Sequence, residues 1–182
     1  MKHRINFILT LTILFNCNTN QLKAQGEYAP NFIGLNPSLT VEPFYYKGEM
    51  DISIIPVVYQ RPLTKLFDIR LNSICNLGIR KNRNRISHIG VETALPIFLK
   101  KRKIKMKVQK DFIAPILSLT RNRIEAHYNA GVWIEPGYNL LFDNKYAITF
   151  GLQLGRTYFT YDNGQALWGN HFDVQIIFGK CI

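Results

Sequence analysis

The sequence has few cysteines, few acidic residues and no long uninterrupted run of apolar residues. Cys17 lies near the N-terminus, and Cys75 and Cys181 stand in separate segments, so the pattern predicts neither a disulfide framework nor a metal site. A helical membrane span needs about 18 or more consecutive apolar residues, and no such stretch occurs. Helical periodicity is also absent, and we therefore expect a protein built of strands.

The N-terminal segment has the layout of a secretory signal peptide. Three basic residues, Lys2, His3 and Arg4, precede an apolar stretch at residues 5–15, which is too short to span a bilayer. Small Ala24 suits cleavage before Gln25. We therefore predict export, with residues 1–24 as signal peptide, residues 25–38 as an N-terminal lead-in and residues 39–182 as one β-barrel domain.

Positive charge dominates, with 23 lysines and arginines against 12 acidic residues and a formal net charge of +11. Removal of Lys2, Arg4 and Lys23 with the signal peptide lowers this charge by three, to +8. A basic exported protein is expected beside membrane lipid or lipopolysaccharide phosphates, and nucleic acid is not an expected partner. No motif indicates a cofactor.

The strongest structural signal is a long hairpin at residues 126–156, in which apolar and small or polar residues alternate. Period-2 alternation predicts strands with one apolar face and one polar face. On the first arm the even positions are mainly apolar, and the odd positions carry His127, Asn129, Gly131, Trp133, Glu135, Gly137 and Asn139. After a turn at residues 143–145, the second arm has Ile148, Phe150, Leu152 and Leu154 opposite Thr149, Gly151, Gln153 and Gly155.

Six further segments alternate in the same way or are bounded by turn residues. Together with the hairpin they predict an all-β fold, an eight-stranded antiparallel up-and-down transmembrane β-barrel. Four prolines inside these segments lack the N–H that a strand ladder needs, so we expect Pro56, Pro96, Pro115 and Pro136 at bulges. The six additional predicted strands are residues 39–46, 51–59, 67–79, 88–99, 112–120 and 171–179.

Alternation alone fits a membrane barrel with an apolar exterior or a soluble barrel with an apolar interior. The polar positions are rich in glycine, asparagine, glutamine and histidine, and the lysines of the mature chain, apart from Lys180, fall in predicted loops or turns. This composition favours a crowded polar lumen. Aromatic residues near the strand ends indicate two interfacial girdles: Tyr45, Phe67, Phe98, Phe142, Tyr146 and Phe178, and Tyr128, Tyr158, Trp168 and Phe172.

By strand number, alternation, girdles and export signal, residues 39–182 resemble the small eight-stranded outer-membrane β-barrel proteins of Gram-negative bacteria. The resemblance implies a barrel in the cell outer membrane and rests on no specific fingerprint. We expect the barrel to be monomeric or weakly associating, and structural or interaction-type in role. The alternative is a soluble exported lipocalin-like barrel that binds a small apolar ligand.

Charged and polar residues on the inner face are expected to pair, because an isolated buried charge is costly. We predict a lumen polar network that closes the barrel, and a small pore is the alternative. Its expected members are Arg70, Glu92, Glu135, Gln153 and Asp173.

Two outward loops are rich in arginine, whose planar fork matches phosphate geometry. We hypothesise that they contact lipopolysaccharide phosphates; the alternative is that they are simply solvated. The residues concerned are Arg80, Arg83, Arg85, Arg121 and Arg123. The basic run at residues 100–110 is expected to be a solvated connection at the opposite rim.

One segment resembles the catalytic strand of small barrels that deacylate lipid A, which carries a His-x-Ser pair. Here His127 is followed by Asn129 where the resemblance requires the serine nucleophile. Ser87 and His88 are adjacent, and neighbouring residues of a regular strand point to opposite faces. The sequence therefore predicts a protein that is not an enzyme.

Overall fold

The computed structural model describes residues 30–40, 46–99, 108–142 and 144–182, and the predicted signal peptide lies outside them. No helix in these ranges is long and apolar enough to cross a bilayer. The described chain forms strands β1 (Phe32–Leu35), β2 (Leu39–Thr40), β3 (Met50–Ser53), β4 (Val57–Pro62), β5 (Asp68–Ile79), β6 (Arg85–Ala94), β7 (Ile97–Phe98), β8 (Val108–Asn122), β9 (His127–Leu141), β10 (Tyr146–Tyr161) and β11 (Ala166–Cys181).

These strands form one closed antiparallel barrel. The hydrogen-bonded order is β5-β4-β1-β11-β10-β9-β8-β6, and β6 pairs back with β5 to complete the ring. The short strands β2, β3 and β7 extend β1, β4 and β6, so the wall has eight strands. The predicted all-β, eight-stranded antiparallel barrel is confirmed.

The wall begins earlier than predicted. We expected its first strand at residues 39–46, whereas β1 already lies in the wall at Phe32–Leu35, paired with β4 on one side and β11 on the other. Residues 36–38 divide this first wall strand into β1 and β2, and neither piece is long enough to show clear alternation alone. Residues 41–45 lie outside the described residues.

The four strand prolines all lie at interruptions of the ladder. Pro56 separates β3 from β4, and Pro96 separates β6 from β7. Pro115 lies in β8 between its pairs with β6 and those with β7, and the pairing of β9 with β10 skips the two residues that include Pro136. A residue without an N–H is tolerated at such places, which reconciles the prolines with a closed barrel.

The barrel wall is polar inside and apolar outside. Arg70 and Glu135 are fully buried in the lumen, whereas Leu117 and Val132 are about 60% exposed on the outer face. Among the described residues, buried apolar side chains form two small clusters, around Phe112 and around Val58. The burial pattern therefore reverses that of a soluble barrel.

Two residues depart from the expected placement. Phe98, assigned to a girdle, is buried against Phe112 with ring centroids 5.9 Å apart. Lys110, expected in a loop, lies in β8 and is buried. The end of the basic run is thus strand, because β8 begins at Val108; residues 100–107 lie outside the described ranges.

Candidate functional site: a polar lumen

An ion pair crosses the lumen between Arg70 on β5 and Glu135 on β9. The Arg70 Nη2 donates to both carboxylate oxygens of Glu135, at 2.8 and 2.7 Å. Gly151 on β10 leaves room for this carboxylate, since a Cβ there would lie 2.6 Å from its carbon. Pairing offsets part of the desolvation cost that either buried charge would have alone.

Glu92 on β6 is the centre of a second set of hydrogen bonds. Its Oε1 accepts from Asn72 Nδ2 at 2.5 Å, from Gln175 Nε2 at 3.3 Å and from Gln153 Nε2 at 3.4 Å. The Gln153 amide also donates to Glu135 Oε2 at 3.1 Å. It thereby joins Glu92 to the ion pair, and we call these linked residues on five strands the plug.

Four of the five residues predicted for the lumen network are thus brought together. Asp173 is not among the hydrogen-bonded members, because its Oδ1 accepts the Val174 backbone N–H at 2.8 Å. The sequence analysis did not select Asn72 or Gln175, although their positions on the polar face gave a signal: both occupy the same parity as their inward-facing neighbours along the strand.

A second polar cluster lies nearer the loop after β5. Asp51 accepts from Arg80 Nη1 at 2.9 Å and pairs with His88 Nδ1 at 2.9 Å. The other ring nitrogen of His88 lies 3.1 Å from Asn122 Nδ2. Both imidazole nitrogens are therefore occupied by neighbours.

His127 continues this cluster on β9. Its Nε2 lies 3.4 Å from Glu125 Oε2, and its Nδ1 contacts the amide oxygen of Asn129. Asn122 Nδ2 donates to the same Glu125 oxygen at 2.8 Å, which connects the two histidine environments. The His127 and Asn129 side chains share the inner face, as their parity predicts.

A β-bulge changes the arrangement expected for Ser87 and His88. The β5–β6 register shifts here, and both residues are buried, so the prediction that they point to opposite faces is wrong. The Ser87 hydroxyl donates to the Asn76 carbonyl at 3.2 Å, away from the imidazole. The two side chains therefore do not hydrogen-bond to each other.

The five candidate phosphate-binding arginines fall into three groups. The Arg80 side chain pairs with Asp51 in the second polar cluster, so Arg80 is not an exposed loop cation. Arg121 makes two hydrogen bonds to Asp162, at 2.7 and 2.5 Å, and these lower the pKa of the Asp162 carboxyl. Arg83, Arg85 and Arg123 are exposed.

No family model matches the chain, and no curated protein or solved structure is significantly similar to it. Within the described ranges, no group of three or more histidine, cysteine or acidic side chains is arranged to hold a metal ion, and Cys75 is a free thiol.

A cavity of about 480 Å³ lies on the loop side of the plug. Trp133 forms part of its wall and stacks on His171 with ring centroids 3.7 Å apart. The other lining residues are mainly small, polar or aromatic: Leu39, Asp51, Ile74, Asn76, His88, Ser118, Thr120, Asn129, Gly131, Thr157, Phe159, Asn170, Phe172 and Asp173. The described part of the lumen thus contains the plug and, on its loop side, this cavity.

Removing one partner of the plug's ion pair is expected to lower the free energy of unfolding more than removing both partners. Arg70→Met leaves Glu135 buried without its cation and should lower the free energy of unfolding by about 3–5 kcal/mol. The double variant Arg70→Met/Glu135→Gln removes both charges and should recover part of that loss. Urea unfolding of the refolded protein measures both effects.

The exposed pair between Arg121 and Asp162 provides the matched control. Arg121→Met should change the unfolding free energy little, because solvent screens this pair. An Arg70→Met variant as stable as the wild type would contradict the structural role of the buried ion pair.

Proposed function

We propose that the protein is an exported outer-membrane β-barrel of structural or interaction type, with a lumen closed by the plug. The observation that carries the proposal is the reversed burial pattern, with ionic groups inside and large aliphatic side chains outside. The strand lengths agree. Strands β8 to β11 have 15 or 16 residues, whereas a tilted strand needs roughly 9 to 11 to cross the hydrocarbon core.

Lipid is the environment that suits the outer face. Apolar surface gains about 25 cal/mol per Å² when it leaves water, and the exposed side chains around Leu119, Val132 and Val174 would forgo this gain in solution. Soluble monomers rarely display contiguous apolar patches larger than a few hundred Å². In a bilayer the same residues contact acyl chains and need no further partner.

Aromatic placement supports the same proposal. Phe67, Phe142, Tyr146 and Phe178 are exposed near the strand ends opposite the arginine loops. Tyr128, Trp168 and Phe172 are exposed nearer those loops. Two such levels on an outer wall are typical of membrane barrels, whose aromatic side chains lie at the lipid headgroups.

The soluble lipocalin-like alternative is disfavoured by the lumen. A barrel that binds a small apolar ligand needs apolar side chains inside. Here the lumen contains the Arg70–Glu135 ion pair, Glu92 and the amides that bind them. The plug equally disfavours a small pore, because it links side chains from five wall strands across the lumen.

A charge on the outer face separates the membrane and soluble proposals. Leu117→Arg places a cation on the outer face of the middle of β8 and should cost about 2–4 kcal/mol of unfolding free energy in lipid vesicles. Leu63→Arg, in the turn between β4 and β5, should cost little. Equal stability of the two variants in vesicles would contradict a lipid-facing wall, since a water-facing wall tolerates arginine.

Contact with lipopolysaccharide phosphates is proposed for the three exposed arginines. The triple variant Arg83→Ala/Arg85→Ala/Arg123→Ala should be retained more weakly than the wild type on lipid A-coated beads, because arginine binds phosphate with paired N–H groups. Arg121→Ala should be retained normally, since Asp162 already neutralises that side chain. Unchanged retention of the triple variant would contradict the proposed phosphate contact.

A further inference from the structure

One arginine lies on the outer face of the wall. Arg156 is exposed on β10, in the same outward register as Leu154 and Tyr158. Among the outward positions of β9, β10 and β11, whose residues are all described, the only other charge is Lys180 at the far end of β11. A charged side chain on the lipid face of a barrel is costly, by an amount that falls towards the headgroups.

The depth of Arg156 follows from its place along β10. Tyr146 and Tyr158 belong to opposite ends of the wall and are twelve residues apart, which at about 3.3 Å per residue and a tilt of about 45° corresponds to roughly 28 Å. This span is close to the hydrocarbon thickness of about 30 Å. Arg156 lies one outward position inside Tyr158, so its backbone is at the loop-side boundary of the hydrocarbon region.

The guanidinium of Arg156 is directed back towards the headgroup level. Its Cζ lies 5.5 Å from the centre of the Trp168 ring, and this ring packs against Tyr158 with centroids 5.0 Å apart. Long basic side chains near a membrane boundary extend towards the polar region, and the face of an indole attracts the cation. The contact therefore holds the guanidinium where lipid headgroups begin.

No acidic group of the protein neutralises this cation. Within the described ranges, the Arg156 side chain makes neither an ion pair nor a hydrogen bond. Arg121 provides the contrast, because it also lies over an aromatic ring, 4.3 Å from the centre of Tyr128, but makes two hydrogen bonds to Asp162. The N–H donors of Arg156 are thus left for a partner outside the chain.

An amide side chain lies beside this arginine. Asn170 on β11 is the direct cross-strand partner of Arg156, and it is exposed in the same outward register as Trp168 and Phe172. Directly opposite side chains of an antiparallel pair have Cβ atoms about 4.5–5.5 Å apart. The Asn170 amide therefore adds a neutral donor next to the planar guanidinium.

Apolar side chains adjoin this polar pair on the side of the bilayer centre. Leu154 and Phe172 form the next outward pair in that direction, and they are 41% and 69% exposed. Tyr158 and Trp168 form the next outward pair towards the loops. The surface thus offers hydrogen-bond donors and one positive charge at the headgroup level, and an apolar face for acyl chains below them.

The charge of this surface favours an anionic lipid over a zwitterionic one. A zwitterionic lipid brings its own cation close to its phosphate, whereas the phosphate of an anionic lipid has a net charge to offer an unpaired arginine. Guanidinium groups bind phosphate through two parallel N–H groups. Basic side chains at a membrane surface attract anionic headgroups in general.

We propose that Arg156, Asn170 and Trp168 form a binding site for the phosphate group of an anionic membrane lipid in the loop-side leaflet. The guanidinium and the Asn170 amide donate to the phosphate oxygens, Trp168 positions the guanidinium, and the acyl chains lie along Leu154 and Phe172. The inference rests on the membrane location proposed above and adds a lipid site on the wall, separate from the loop arginines.

The two tryptophans of the sequence allow this site to be observed directly. Trp133→Phe removes the lumen tryptophan and leaves Trp168 as the only reporter. In phosphatidylcholine vesicles, quenching by brominated phosphatidylglycerol and by brominated phosphatidylcholine gives the relative association constant of the two lipids at Trp168. It should favour phosphatidylglycerol about fivefold, the effect expected of one cation at a membrane surface.

Two variants that each remove one positive charge give the matched comparison. In the Trp133→Phe background, Arg156→Gln should bring the relative association constant close to one. Arg121→Gln should leave it near five, since Asp162 already neutralises that side chain. An equal decrease in both variants would show only diffuse attraction to a basic barrel and would overturn the site.

A second measurement leaves the lumen unchanged. Mass spectrometry of the intact wild-type protein, released from detergent micelles, counts the lipids that remain bound. The wild type and Arg121→Gln should each retain phosphatidylglycerol in preference to phosphatidylcholine, and Arg156→Gln should lose this preference. The same preference in Arg156→Gln as in the wild type would contradict the assignment.

The geometry of the contact has its own readout. Arg156→Lys keeps the charge and removes the paired N–H groups, so its relative association constant should lie between those of the wild type and Arg156→Gln. Asn170→Ala should also lower the constant, because one donor is lost. Wild-type values for both variants would overturn the proposed hydrogen bonds to the phosphate.

Competition identifies the source of the phosphate. Unbrominated phosphatidylglycerol and lipid A should each displace the brominated lipid from Trp168, and the stronger competitor is the preferred source. Inorganic phosphate at the same total concentration should not displace it, because it has no acyl chains to contact the wall. Equal displacement by inorganic phosphate would overturn a lipid ligand.

The outcomes separate this site from the membrane location. If neither brominated lipid quenches Trp168, the membrane location itself fails. If both lipids quench Trp168 equally at the same mole fraction, the membrane location stands and only the anionic lipid site is overturned.

Discussion

The buried ion pair between Arg70 and Glu135 is the interaction on which the organisation of the lumen depends. An eight-stranded ring leaves an interior just wide enough for side chains to fill, so the inward residues must satisfy one another. Arg70 and Glu135 pair their charges through two hydrogen bonds. The Gln153 amide hydrogen-bonds to both Glu135 and Glu92 and so links this pair to Glu92. The interior is thus held by polar complementarity rather than by an apolar core.

That arrangement determines how the rest of the barrel can be used. Because the polar side chains of each strand face the lumen, the alternating aliphatic side chains face outward. The proposed lipid environment follows from the same alternation. The plug occupies only part of the interior, and the cavity beside Trp133 lies on its loop side.

Alternation predicted the strands and their faces well, because a period of two depends only on neighbouring residues. It was enough to group Arg70, Glu92, Glu135 and Gln153 before any geometry was known. It did not reveal which residues meet across strands, because register is not local. The inward turn of Arg80, the β5–β6 bulge beside His88 and the early start of the wall all depend on pairing partners distant in sequence.

The central claim, a closed barrel embedded in a membrane, is tested most directly by gel mobility of the mature protein extracted from membranes in detergent. A closed membrane barrel should remain folded in the unheated sample and change its mobility on boiling, and the protein should fractionate with the outer membrane. Recovery from the soluble exported fraction, with identical mobility before and after boiling, would contradict the account.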